Sequence, residues 1–333
     1  MPTPKKTAPS KASVQAQPPA PLPELSQPSG RSQAAPLIKA VVLISLLGVF
    51  SNASELALSP VFGGIPSAVW HPYVLMTGCF IGWASNLALR RSVPLRAATL
   101  LPVVALSVPT VQFFLYDFSE QLGCQWGPAV TELLTLLPLA ALSSACVADY
   151  LEGLELPSSL PSFIGDAAPG MLSWGLLKLV EHVTSHHIAA SIGRGFLYTR
   201  VGMELLLGAS YALVAPSKLL LLAAPALLHT ALLNTHVMTP QAALALNETM
   251  LAQGWMLLDR RESLTGYVSV VESVERGFRV MRCDHSLLGG EWVVIQGKKA
   301  AEPIYGVFVM LEAVRLVENK VPVADADAKA LVM

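Results

Sequence analysis

Four stretches of this chain are long and apolar enough to cross a lipid bilayer, and no other feature restricts its fold as much. A hydrocarbon layer of about 30 Å takes about 20 helical residues, and only a helix or a closed barrel satisfies its own backbone there. "LIKAVVLISLLGVFSNASELALS" from Leu37, "VWHPYVLMTGCFIGWASNLAL" from Val69, "AATLLPVVALSVPTVQFFLY" from Ala97 and "WGPAVTELLTLLPLAALSSACVA" from Trp126 each meet the requirement. Composition agrees, with 53% hydrophobic and 14% charged residues, against roughly 25% charged in ordinary soluble domains. The charges are also concentrated late: Asp259 to Lys329 holds ten Lys/Arg and eleven Asp/Glu. A membrane part therefore precedes a soluble one. Net charge of −1 offers no concentrated positive surface, so nucleic acid is not an expected partner, whereas the lipid bilayer is. Cys79, Cys124, Cys146 and Cys283 lie far apart, which indicates neither a disulfide framework nor a metal site.

Residues 1–36 are rich in Pro, Ala, Ser and Gln, with Lys5, Lys6, Lys11 and Arg31 against Glu24. Such a segment buries too little apolar surface to order itself and reads as a disordered basic tail on the cytosolic side. Arg90, Arg91 and Arg96 place the loop between the second and third spans on that side too. After Val147 the pattern loosens. "LEGLELPSSLPSFIGDAAP" is polar enough to lie along the interface, and "GMLSWGLLKLVEHV" carries Lys178 and Glu181 on one face. The apolar run from Val201 is broken at Ala215-Pro216, which predicts two short helices. The bundle over 37–235 thus has six or seven spans. Six is preferred, with residues 170–183 re-entrant, because it leaves Arg194 and Arg200 cytosolic and returns the C-terminal part to the cytosol.

A linker over 236–258 leads to a different pattern. Ser263 to Gly297 alternates apolar and polar residues, with "ERG" at Glu275 and "GG" at Gly289 as turn signals. Pro303 to Glu318 then shows helical spacing at Val307, Met310, Leu311 and Val314, and the chain ends on "KALVM". The fold class expected is mostly α: a polytopic membrane helix bundle, then a small β-hairpin layer plus a helix, and the first strand of an incomplete methyltransferase-like α/β domain over 259–333.

The hairpins "TGYVSVVE" and "RVMRCDHSLLGGEW", followed by "YGVFVMLEAVRLVE" and a strand opening "KALVM", resemble the polyamine aminopropyltransferases. That is the spermidine and spermine synthase family, in the branch that carries an N-terminal multi-span membrane region. The resemblance implies that "KALVM" is the first parallel strand and that the chain is cut where a glycine-rich turn for decarboxylated S-adenosylmethionine would begin. It therefore implies no catalytic and no cofactor-binding residue in this chain. It also implies a polyamine-binding wall of Tyr267, Asp284, His285, Tyr305 and Glu312, with Val268 where the family has glutamine and His285 where it has glycine. "GRG" at Gly193 lacks the preceding strand that a phosphate cradle needs.

Two classes of function follow. One is a membrane-anchored transferase, inactive as a truncated chain and possible as a homo-oligomer. The alternative is a transporter or sensor acting through Glu55, Glu132 and Glu204 in the bundle, since buried ionisable groups in a membrane are costly and often functional. The structural reading of those groups, with Glu181 and Lys178, is that they pair with one another inside the bundle. Asn247-Glu248-Thr249 forms a glycosylation sequon that reports sidedness.

Overall fold

The structure, a computed structural model, describes residues 34–92, 96–152, 162–295 and 297–304. Tyr305, Glu312, the helix expected from Pro303 and the run "KALVM" fall wholly or almost wholly outside the described residues, as does the basic tail.

Nine α-helices precede five strands among the described residues. The helices are α1 (Ala34–Phe62), α2 (Gly64–Ser92), α3 (Ala97–Tyr116), α4 (Ser119–Leu134), α5 (Leu136–Leu151), α6 (Ser162–Ser191), α7 (Arg200–Val214), α8 (Ala224–Leu232) and α9 (Pro240–Leu251). Ala34–Phe62, Ala97–Tyr116 and the helical run Ser119–Leu151, kinked at Gly123, are long and apolar enough to cross a membrane, and Lys218–Leu232 forms a shorter apolar helical stretch. Leu43, Leu47 and Phe50 of α1 meet Leu75, Leu101, Leu136, Leu139, Leu177 and Tyr211 in the core, all fully buried. Leu213, Leu221, Phe80 and Met171 point outward.

Small residues set the closest helix approach. Gly78 and Gly82, four apart on α2, lie on one face against Ala140 and Ala141 of α5. A Cβ at Gly82 would run into the Ala141 carbonyl. Such small-xxx-small faces let two helices pack backbone to backbone where hydrophobicity alone gives no drive.

The helices run alternately between two ends of the bundle. At one end the Val61 carbonyl of α1, Trp70 of α2, Tyr116 of α3 and Trp126 of α4 lie near the sheet. At the other end Lys39 of α1 sits 5.9 Å from the Tyr150 ring of α5, and Asn86 of α2 reaches Asp149. α6 spans the whole distance: Gly170 packs near Trp83 of α2, while Gly193, just past its C-terminus, abuts Glu262 of the sheet. Residues 170–183, expected to be interfacial or re-entrant, lie within this one helix. Lys178 and Glu181 pair with each other and Glu181 turns inward to Ser51, so the two charges do not interrupt the 30-residue helix. α7 runs away from the sheet and the stretch Lys218–Leu232 returns toward it, and the sheet lies at the end opposite to Ala34.

The sheet has five strands in the order β1 (Trp255–Ser263), β2 (Gly266–Ser273), β3 (Phe278–Cys283), β4 (Ser286–Ile295), β5 (Lys298–Pro303), every neighbouring pair antiparallel. Two boundaries differ from the sequence reading. The stretch 236–258 holds α9 and the first residues of β1, because Pro240 at the first helical turn and Thr239 as N-cap start a helix there. Gly289 and Gly290 lie inside β4 opposite Met281 and Val280, while the turn is made by Asp284 and His285, Asp284 at φ 48°. The sequon residue Asn247 is held in α9, where its Oδ1 accepts from the Leu257 backbone at 2.8 Å.

Replacing Gly82 with leucine is expected to lower stability in detergent by about 3 kcal/mol or more, the upper range for overpacking. Gly175→Ala on the open face of α6, where an added Cβ meets nothing, is expected to raise it by up to about 1 kcal/mol. Thermal unfolding of both variants checks the contrast.

Candidate functional site

The sheet meets the bundle at one buried polar junction. Thr199 caps α7 by accepting from the Gly202 backbone, which fixes Arg200 as the first helical residue. Across from it, Glu262 on β1 presents its carboxylate to the α7 N-terminus. The Arg200 backbone N–H donates to Glu262 Oε2 at 2.9 Å and its guanidinium Nη1 donates to the same oxygen at 3.3 Å. Both side chains are almost fully buried. The guanidinium also donates to the carbonyls of Leu56 (2.7 Å) and Leu264 (3.3 Å), so one side chain ties α1, α7 and the β1–β2 turn together. A carboxylate at a helix N-terminus meets both orphan N–H groups and the positive end of the helix dipole. Burial nevertheless raises the Glu262 carboxyl above its ordinary range, with Arg200 opposing.

Tyr267 on β2 pairs with Glu262 across the strands and is buried. The Arg260 guanidinium lies 4.1 Å from its ring centroid and that of Arg200 5.4 Å, a doubly cationic face for the aromatic ring. Arg260 donates to the Thr235 carbonyl at 2.7 Å, and burial lowers its pKa. His236 sits against Tyr116 at 5.1 Å and Tyr267 at 5.7 Å; burial, then Arg260, pushes its pKa down to about 4.

Of the residues read as an amine-binding wall, the described ones come together here, but with their polar groups engaged. Asp284 Oδ1 accepts from the Tyr267 backbone N–H at 2.8 Å and its carbonyl accepts from Arg282, so it holds the β3–β4 turn. His285 Nε2 donates to the Val61 carbonyl of α1 at 3.1 Å, a second tether between sheet and bundle. Beside the junction a cleft of about 570 Å³ opens between α9 and β1, lined by Pro240, Leu244, Asn247, Leu257, Asp259 and Arg260.

A second polar cluster lies within the bundle, and it gathers Glu132, Glu181 and Lys178 of the ionisable groups noted in the sequence. Ser51 Oγ donates to Glu181 Oε1 at 2.9 Å and so accepts from His71 Nε2, 2.6 Å away. His71 Nδ1 is 2.5 Å from Glu132 Oε1. Asn52 donates to Thr184 and to the Glu181 carbonyl, both at 2.8 Å. One turn away Gln112 donates to Glu204 Oε1 at 2.9 Å. Pairing within the bundle is thus the observed state of Glu132, Glu181, Lys178 and Glu204. His71, Ser51 and Arg200 were missed as anchors; the signal available was a lone histidine in "VWHPY" and the polar "SNASE" inside an apolar run.

The chain is 38% identical over 304 residues to an N-terminal histidine N-methyltransferase of Emericella nidulans, a match covering 89% of this chain and 54% of that protein. It therefore spans about half the length of the curated relative it matches. No family model and no solved structure matches it. A methyltransferase relative overturns the aminopropyltransferase resemblance. With it go the polyamine substrate, decarboxylated S-adenosylmethionine as donor, and the reading of the chain as cofactor-free. The hairpin order that suggested the family does not by itself distinguish one transferred group from another.

Arg200→Met is expected to cost about 3–5 kcal/mol, because it leaves Glu262 buried and unpaired. Arg200→Met with Glu262→Leu is expected to recover part of that loss, read as resistance of the sheet to limited proteolysis. His236 contributes stability that is complete above its unfolded value of 6.5 and lost as pH falls from there toward about 4. His236→Gln should flatten that part of the pH dependence of unfolding.

Proposed function

We propose that this chain works as a membrane-bound N-methyltransferase that uses S-adenosylmethionine and acts on the N-terminal histidine of a polypeptide. The observation that carries the reading is the 38% identity that runs through bundle and sheet alike, across 89% of the chain. In this reading the helices α1 to α8 are embedded in the bilayer, with the outward Leu213, Leu221, Phe80 and Met171 against lipid. The five-stranded sheet is held on one end of this bundle through Arg200 and Glu262.

Donor binding does not fit the described residues. Their sheet is antiparallel and linked by hairpins, whereas a nucleotide cradle needs a strand that runs through a glycine turn into a helix. The one G-x-G, at Gly193, is used in packing: Gly193 adopts φ 78° because a side chain there would meet the Glu262 carbonyl. No described residue is therefore assigned to the donor or to the chemistry. What these residues supply is position, through the Arg200–Glu262 junction that fixes the sheet on the bundle.

The test is methyl transfer by the full-length protein in membranes, with S-adenosylmethionine and synthetic peptides, read by mass spectrometry. A peptide beginning with histidine is expected to gain methyl groups on the order of 100-fold faster than one beginning with alanine, the discrimination typical of a site that recognises a polar side chain. Equal rates, or aminopropyl addition from decarboxylated S-adenosylmethionine, would refute the proposal.

A further inference from the structure

Helix α6 packs along α1 and barely approaches α5, so a gap remains between α6 and the pair formed by α2 and α5. It is a lateral cavity of about 400 Å³, within the range of about 300–1,000 Å³ for sites that hold one small molecule. The buried Ile44, Ser144, Val147 and Leu177 line its depth, and the exposed Met76, Phe80 and Met171 flank its opening. An unfilled apolar cavity forfeits the dispersion contacts of its lining. In the membrane-spanning reading proposed above, on which this inference rests, the opening faces lipid.

The lining selects which lipid. Among the described residues no Lys, Arg, Asp or Glu lines the cavity, and Lys178 below it is paired with Glu181. Nothing there stabilises a phosphate or carboxylate headgroup, whose charge is costly to bury unpaired. The polar groups present are neutral. Trp83 and Trp174 bring indole N–H groups that donate to no described residue, beside the hydrogen-bonded Cys79 and Ser144. The Ser173 hydroxyl is already engaged, donating to the Pro169 carbonyl at 2.7 Å. The ligand therefore carries one small neutral acceptor. Gly170 leaves the Trp83 N–H open to the cavity, since a Cβ there would stand 3.4 Å from the indole nitrogen. Trp83 lies three residues, about 4.5 Å along the helix, before Asn86, which reaches Asp149 at the end of the bundle away from the sheet. The acceptor thus sits toward the membrane surface and the apolar body below it. Between two indoles and Phe80, a rigid fused-ring body loses little conformational freedom, whereas a flexible acyl chain gives up its rotamers.

We propose that this cavity binds a membrane sterol, its hydroxyl accepting from the Trp83 indole and its fused rings lying between α2 and α6. The bound sterol completes the packing of α6, the helix that leads into Gly193 and its contact with Glu262.

Photolabelling of the full-length protein in lipid nanodiscs tests the site, with a diazirine-bearing sterol in one sample and a diazirine-bearing phosphatidylcholine in another. Mass spectrometry is expected to place sterol adducts on residues 76–83 and 167–177, displaced by excess unlabelled sterol, while the phosphatidylcholine marks other faces of the helices. Gly170→Leu, which fills the cavity, is expected to abolish the displaceable adducts. Gly175→Leu, on the open face of the same helix, is expected to leave them unchanged. Trp83→Phe keeps a ring but removes the donor, and is expected to weaken displacement about fivefold, the worth of one hydrogen bond; it decides the matter if Gly170→Leu does not fold. Equal labelling of the cavity by both probes, or sterol labelling that Trp83→Phe leaves unchanged, overturns the sterol site. Release of the protein from membranes by alkaline extraction refutes the spanning reading and the site with it, whereas a retained protein without displaceable adducts overturns the site alone.

Discussion

The arrangement depends on one carboxylate. Glu262 leaves the sheet and enters the N-terminal end of α7, where it takes the Arg200 backbone N–H and the Arg200 guanidinium together. Neither partner has another way to be satisfied at that depth, since a buried charge without its counterpart costs several kcal/mol. The remaining Arg200 donors reach Leu56 and Leu264, so the sheet's position is referred directly to α1 and α7. Tyr267, roofed by Arg260, fills the space beside the pair, and His285 adds a tether to Val61. A junction this closed contributes orientation rather than reactivity.

Within the bundle the same rule is applied twice more. Glu181 and Glu132 meet around His71 and Ser51, which joins α1, α2, α4 and α6. Gln112 and Glu204 join α3 to α7. Between these polar points the helices approach through small residues, Gly78 and Gly82 against α5 above all. Dispersion and hydrogen bonding carry helix association where lipid removes the hydrophobic drive, and both devices are present here.

Much of this was legible in the residues. The helices were announced by length and hydropathy, and the strands of β2 to β4 by their alternation. Lys178 and Glu181, three apart, were readable as a pair. Their further partners were not: the sequence cannot show that Glu181 also faces Ser51 and His71 across 130 and 110 positions. Gly289-Gly290 read as a turn because two glycines usually are one, but Asp284 reaches the left-handed region on its own and closes the hairpin two residues after Arg282. At the site, Tyr267 and Asp284, expected on an amine-binding wall, are engaged in contacts within the fold. The likeness to an N-terminal histidine N-methyltransferase was not legible in the hairpin pattern.

Hydrogen exchange of the full-length protein in lipid nanodiscs tests the central claim most directly. If the Glu262 junction makes sheet and bundle one unit, the Arg200 and Gly202 amides and those of β1 and β2 exchange together, as slowly as the first turns of α7. If β1 and β2 exchange freely while α7 stays protected, the sheet is independently mobile and the account of the junction is wrong.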